Sequence, residues 1–285
     1  MKIIKGWKNF IHENNQVNIL KYSIFDIDDN ILVMETPLHF QHFENGKWVN
    51  VDLFPAEFAQ IRKKYPTNYM DNNEWKGDPN YSFIEFRDYG PRGTNAFLED
   101  VKNTIKDKSF GPSWEVFLDT LKEGRLFAIV TTRGHEPSTL RNAVRYVIEN
   151  VLTPEEQEEM KQNLAKFNEL FNIQADDLVT QYLNECYFIG MFSKAFQEEF
   201  NYSPVGPKLN QGKQDAINKF VNFVRDFSKR TKLPLKVGFS DDDINFSKAA
   251  KELFMRTEKS LDFPENFYVF DTSDPKIKGG IKVKI

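Results

Sequence analysis

Short apolar runs that stop at acidic or hydroxyl residues recur along the chain, and stretches of helical spacing separate them. KYSIFDI, residues 21–27, is an apolar run ending at acidic residues and predicts a buried strand of a parallel sheet. LFAIVTT, CYFIGMF and LPLKVGFS predict three more strands, and ENFYVFD closes the series. Between them, SWEVFLDTLKEGR carries a serine cap, helical apolar spacing and a terminating Gly124. PSTLRNAVRYVIENVL reads as a helix, and TPEEQEEMKQNLAKFNELF opens with a threonine cap, a proline in the first turn and a glutamate three residues after the cap. KQDAINKFVNFVRDFSKR is amphipathic, and a further helix is predicted from about Asn245 to Thr257. Strands alternating with helices imply a parallel sheet with right-handed crossovers, a Rossmann-like α/β fold.

Residues 35–112 break this rhythm. HFENGKWVNV has an Asn45-Gly46 turn between strand-forming residues, which predicts a β-hairpin able to fold as a flap over the end of the first strand. Residues 55–80 are polar and read as a loop or partly helical insert. YSFIEFR alternates as a strand, and RGTNAFLEDVKNTIKD reads as a helix burying Phe97, Leu98, Val101 and Ile105. The organisation expected is therefore a core from residues 1–34 and 113–285, with a helical insertion at about 137–205, and a flap and cap-like α+β insert at 35–112. The basic tail KIKGGIKVKI reads as an edge strand or surface extension, with a phosphate-attracting arm as the alternative.

The 285 residues suffice for a sizeable core, and 40% hydrophobic with 28% charged residues is a globular balance. The 27 phenylalanines are read as core and insert packing. A net charge of −4 gives no basic nucleic-acid footprint, so nucleic acid is a possible but unindicated partner. Cys186 is the single cysteine, which excludes an intrachain disulfide and a multi-cysteine metal site. The opening MKIIKGWKNFIHENN lacks the pattern of a secretory signal, and no apolar window is long enough to span a membrane, so the expectation is a cytoplasmic protein. His12, His39, His42 and His135 show no metal-binding spacing.

Ligands of open parallel sheets bind beyond the carboxyl ends of the strands, so the residues there matter most. The first strand ends in Asp26, Ile27, Asp28 and Asp29, the second in Thr131, Thr132, Arg133 and Gly134, and the fourth in Ser240, Asp241, Asp242 and Asp243. Lys213 starts the helix that leads into the fourth strand, with Lys208 and Lys194 as competitors for its place. RDYGPRG, at 87–93, reads as a turn or as a phosphate-contacting loop.

FDIDDNIL, AIVTTRG, the helix-initial lysine and VGFSDDD occur in the order of the four motifs of the haloacid-dehalogenase-like superfamily, which the chain resembles over roughly residues 20–34, 113–150 and 186–272. The resemblance implies a magnesium-dependent phosphatase that hydrolyses a small phosphomonoester through an aspartyl-phosphate intermediate. Asp26 would be the nucleophile, because a carboxylate attacking phosphorus divides one hard displacement into two easier ones. Asp28, two residues on and on the same side of an extended segment, would protonate the departing oxygen and then activate water. Thr131 would bond a phosphoryl oxygen, and Lys213 would offset charge on Asp26 and the phosphate. Magnesium would be held by the Asp26 side chain, the Asp28 carbonyl and an acid of the last motif. Relatives commonly have that acid directly after the strand glycine, but here Phe239 follows Gly238, which moves the expectation to Asp241 or Asp242, with Asp243 in support. Thr132, Arg133 and Asp243 would flank the substrate, a structural ion pair being an equal reading for Arg133. The fifth residue of the first motif, usually Thr or Val, is Asn30. A phosphotransferase would use the same residues. Phosphate removal from a nucleic-acid end, or a binding or regulatory protein without turnover, are the other readings, and the inserts would choose the substrate.

Overall fold

The structure, a computed structural model, describes residues 20–171, 178–201, 209–231, 234–257, 264–283 and 285. Expectations about the opening segment, His12 and Lys208 lie outside the described residues.

Six strands form the main sheet: β1 (Leu20–Phe25), β5 (Phe127–Thr131), β6 (Tyr187–Gly190), β7 (Leu235–Asp241), β8 (Glu265–Asp271) and β9 (Ile281–Val283). Their order across the sheet is β6-β5-β1-β7-β8-β9, and every pairing is parallel except that of β9, which runs antiparallel along β8. The basic tail is thus an edge strand. β1 lies in the middle, between β5 and β7, and the apolar runs that predicted these strands are buried because helices cover both faces.

Alternation along β1 assigns the helices to faces. Tyr22 meets Phe220 of α8 (Leu209–Thr231) edge to face at 6.2 Å, and α9 (Ile244–Arg256) packs beside α8. Phe25 points the other way, to Phe117 of α3 (Trp114–Lys122) at 5.6 Å. Phe127 on the same side meets Phe117, Phe188 of β6 and Tyr182 of α6 (Leu178–Glu185), so phenylalanines fill the core as composition suggested. α4 (Pro137–Asn150) packs on β6, and α5 (Pro154–Phe171) on α3 and α6. The predicted start of α5 is a reciprocal cap: Glu156 N donates to Thr153 Oγ1 and Thr153 N to the Glu156 carboxylate. Cys186 is buried.

Within residues 35–112, β2 (Leu38–Glu44), β3 (Lys47–Leu53) and β4 (Trp75–Lys76) make a three-stranded antiparallel sheet in the order β3-β2-β4. The hairpin is closed by Asn45 and Gly46 at φ 50° and 81°, the left-handed pair that a tight two-residue turn requires. α1 (Pro55–Lys64) packs on this sheet through Phe58 and Ile61, which join Leu38, Phe40 and Leu53 in a small core separate from the main one. α2 (Ala96–Lys106) buries Phe97 and Val101 as predicted, while Leu98 and Ile105 are half-buried.

Two expectations are corrected. YSFIEFR is not a strand: residues Ile84–Phe86 form a 3₁₀ turn, with Ile84 N donating to Tyr81 O and Phe86 N to Phe83 O. Ser82 and Glu85 are the buried positions, a spacing of three, and the segment lacks the neighbouring strand that alternation needs. Ser113 precedes α3 but does not cap it; its hydroxyl donates to Asn30 Oδ1 at 2.7 Å instead.

Candidate metal and phosphoryl site

The carboxyl ends of β1, β5 and β7 meet at one rim, and the loops leaving them are tightly bonded. After β1 the chain turns back on itself: Ile31 N and Leu32 N both donate to Ile27 O, Asp29 N donates to Leu32 O, and Asp29 takes φ 53°. Asn30 is fully buried at the centre of this turn. Its Nδ2 lies 2.9 Å from Asp26 O, 3.1 Å from Ser240 O and 3.1 Å from Ser240 Oγ, while its Oδ1 accepts from Ser113 Oγ and Thr272 Oγ1. One carboxamide therefore ties the first loop to the ends of β7 and β8 and to the start of α3. Sequence reasoning noted this residue only as a departure from pattern; a lone amide directly ahead of the apolar Ile31 and Leu32 was the available signal for a buried polar hub.

Asp26 stands directly beyond β1 and is 6% exposed. Asp241, the last residue of β7, and Asp242 bring one carboxylate oxygen each to within 4.8 Å of one from Asp26. Lys213, fully buried in the second turn of α8 rather than at its start, places Nζ 2.6 Å from Asp26 Oδ1 and 3.0 Å from Asp241 Oδ2. Asp241 Oδ1 accepts from Asp243 N, and its Oδ2 is the oxygen that faces the Lys213 ammonium.

Burial raises the proton affinity of these acids, and their mutual repulsion adds to it. Asp26 is pushed up to about 8 by burial, with Asp241 and Asp28 adding to the rise and Lys213 opposing it. Asp242 is pushed up to about 9 by burial and by the charges of Asp241 and Asp26, and Asp241 moves in the same direction. For Lys213, burial alone would depress the ammonium, but the charges of Asp241 and Asp26 hold it well above its ordinary value. The cluster, rather than any single member, retains the protons.

These donors fit a hard divalent cation. The set is all oxygen, and three carboxylates against one ammonium leave two negative charges uncompensated. Neighbouring oxygens of a magnesium shell stand about 3.0 Å apart and opposite ones about 4.2 Å, so acids within 4.8 Å of one another would close on a shared ion by side-chain rotations of up to about 2 Å.

The remaining expected residues fall as follows. Asp28 is near the rim with its side chain 22% exposed, and both of its oxygens accept from Arg133. Arg133 is fully buried, so the ion pair is realised and the guanidinium is not presented to a substrate. Thr131 is fully buried, and its Oγ1 accepts from Arg133 N at 3.2 Å, which leaves its hydroxyl proton to donate; Thr132 is half-buried beside it. Asp243 caps α9 through Asn245 N and also meets Arg62 of α1 at 3.3 Å, so its carboxylate is engaged by the fold instead of standing free for substrate. Burial and the charge of Asp28 push Asp29 up to about 6. Lys194 lies elsewhere, at the start of α7 (Lys194–Phe200), with its Nζ 5.7 Å from the Tyr89 ring centroid. The 87–93 segment is a turn whose Asp88 accepts from His135 Nδ1, Glu136 N and Thr139 Oγ1 at the start of α4. His39 pairs with Asp52, and His42 stacks on Trp75.

No helix among the described residues is long and apolar enough to cross a membrane. No protein-family model, curated protein or solved structure matches the chain.

Proposed function

We propose that this chain is a magnesium-dependent phosphohydrolase of the haloacid-dehalogenase-like kind, acting on a small phosphomonoester through phosphorylated Asp26. The observation that carries the reading is the meeting of Asp26, Asp241 and Asp242 within 4.8 Å, with Lys213 2.6 Å from Asp26, at the carboxyl rim of a parallel sheet. Residues 187 and more positions apart converge there, and neither a turn nor a helix cap requires them to.

Asp26 and one or both of Asp241 and Asp242 would hold the cation, which supplies charge neutralisation when a phosphate dianion approaches a carboxylate. Asp26 attacks phosphorus and the ester oxygen departs. Asp28 gives that oxygen its proton, and in the second half of the cycle takes one from the water that releases orthophosphate. Lys213 stays protonated throughout, because two carboxylates face it, and it balances the charge that moves between Asp26 and the phosphoryl group. The Thr131 hydroxyl donates to a phosphoryl oxygen.

The test is release of orthophosphate from a panel of phosphorylated metabolites, with magnesium or with chelator, by wild type and Asp26→Asn. Magnesium-dependent turnover that falls at least about a thousandfold in the variant is expected. Metal-independent release, or equal rates in the two proteins, would refute the proposal.

A further inference from the structure

Arg133 is among the largest fully buried side chains of the protein, although it lies in the loop just beyond β5. Its guanidinium carbon lies over two rings, 4.4 Å from the centroid of Phe86 and 5.2 Å from that of Phe97. Nε lies 2.9 Å from Asp28 Oδ2 and Nη2 lies 2.6 Å from Asp28 Oδ1. Nη2 also donates to Thr36 Oγ1 at 2.8 Å, and the Thr36 hydroxyl donates to Asp100 Oδ2, whose carboxylate is in turn held by Arg92. The backbone repeats the link, since Gly134 N donates to Phe86 O at 2.8 Å.

A guanidinium taken wholly out of water is expensive, and replacing such a pair by apolar packing often leaves a fold no less stable. What the two-pronged fork contributes is direction, because it fixes both the plane and the rotation of the carboxylate it grips. Resting on the phosphohydrolase reading, we infer that Arg133 is a positioning residue: clamped by the insert through Phe86, Phe97 and Thr36, it aims Asp28 at the departing ester oxygen. In the step concerned, Asp28, which the fork grips as a carboxylate, first takes up a proton from solvent as the phosphate dianion approaches; the bond from Asp26 to phosphorus then forms as the ester bond breaks, and that proton passes to the alkoxide. Water then attacks the acyl phosphate, its proton returns to Asp28, and Asp26 leaves as a carboxylate. An ester whose leaving group departs without a proton has no use for this aim.

The experiment compares kcat/KM, which reports only the steps up to leaving-group departure, for a simple alkyl phosphate and for 4-nitrophenyl phosphate. Arg133→Met, which can fill the space against the rings, should lower the alkyl value about a hundredfold, the low end of a general acid's contribution, and the nitrophenyl value by less than about fivefold. Arg133→Lys keeps the charge without the fork and should recover part of the alkyl rate. Thr36→Val, a smaller change that keeps the fork on Asp28 and removes the outer bond of Nη2 together with the Thr36 bond to Asp100, should show the same selectivity on a smaller scale, and it carries the test if Arg133→Met does not fold. Equal falls for the two esters, no fall, or faster turnover on either ester would overturn the inference while leaving the phosphohydrolase reading intact. A wild-type protein inert towards both esters with magnesium would overturn both.

Discussion

The charge balance of the acidic cluster makes the effect of magnesium on stability depend on pH in a stated direction. Burial raises Asp26 to about 8 and Asp242 to about 9 in the metal-free fold, whereas carboxyls of an unfolded chain titrate near about 4. Between about pH 5 and pH 8 the folded protein therefore binds more protons than the unfolded one, and its stability falls as pH rises. Each retained proton corresponds to about 1.4 kcal/mol per pH unit, hence about 2.7 kcal/mol lost from pH 5 to pH 7 for each of the two acids. For a chain of 285 residues each such proton is a drop of about 5 °C in melting temperature. Magnesium replaces the proton as the balancing charge, so its stabilising effect should be small near pH 5 and grow towards pH 8. Thermal melts with chelator and with saturating magnesium, paired at each pH, cancel all titrations outside the site. A magnesium-induced shift that is the same at pH 5 and pH 8, or larger at pH 5, would refute the reasoning. Asp242→Asn removes one of the uncompensated charges and should flatten the dependence.

Asn30→Leu keeps the bulk but leaves Asp26 O, Ser113 Oγ and Thr272 Oγ1 without their partner, and should cost about 3–5 kcal/mol in urea unfolding; a cost under about 1 kcal/mol would mean that water replaces the amide. Tyr22→Phe should leave stability unchanged or raise it by up to about 1 kcal/mol, since the buried Tyr22 hydroxyl has no hydrogen-bond partner among the described residues; a clear loss in the same assay would contradict this. Gly190→Ala would place a Cβ 2.3 Å from His135 O and 2.9 Å from Arg133 O, so it should destabilise by about 1–3 kcal/mol and depress turnover by shifting the Arg133 loop; wild-type melting and turnover would refute the crowding.

What could be read from the sequence followed from how far each feature reaches along the chain. β5 announces itself because it is buried and apolar throughout, and β1 and β7 because their apolar runs change character abruptly where they meet the rim; the same boundary marks Asp26, Thr131 and Asp241. The hairpin at Asn45-Gly46 and the reciprocal cap at Thr153 are equally local. Residues 81–87 failed because alternation describes a strand only when another strand lies alongside, which no local pattern reports. The role of Asn30 depends on Ser113, Ser240 and Thr272, up to 242 residues away, and that of Arg133 on Asp28, 105 residues away, so side-chain chemistry alone left both open. The engagement of Asp243 by α9 and Arg62 was hidden for the same reason.

The insert's private cluster around Phe40 and Phe58 also has a consequence for how the molecule can change. A module that fills its own interior can open, or be rebuilt residue by residue, while the large sheet keeps its register, and its amides should exchange with solvent before those of β1 and β7. Such a division lets the hairpin and α1 drift in shape while Asp26, Asp241 and Asp242 stay together at the rim of the large sheet.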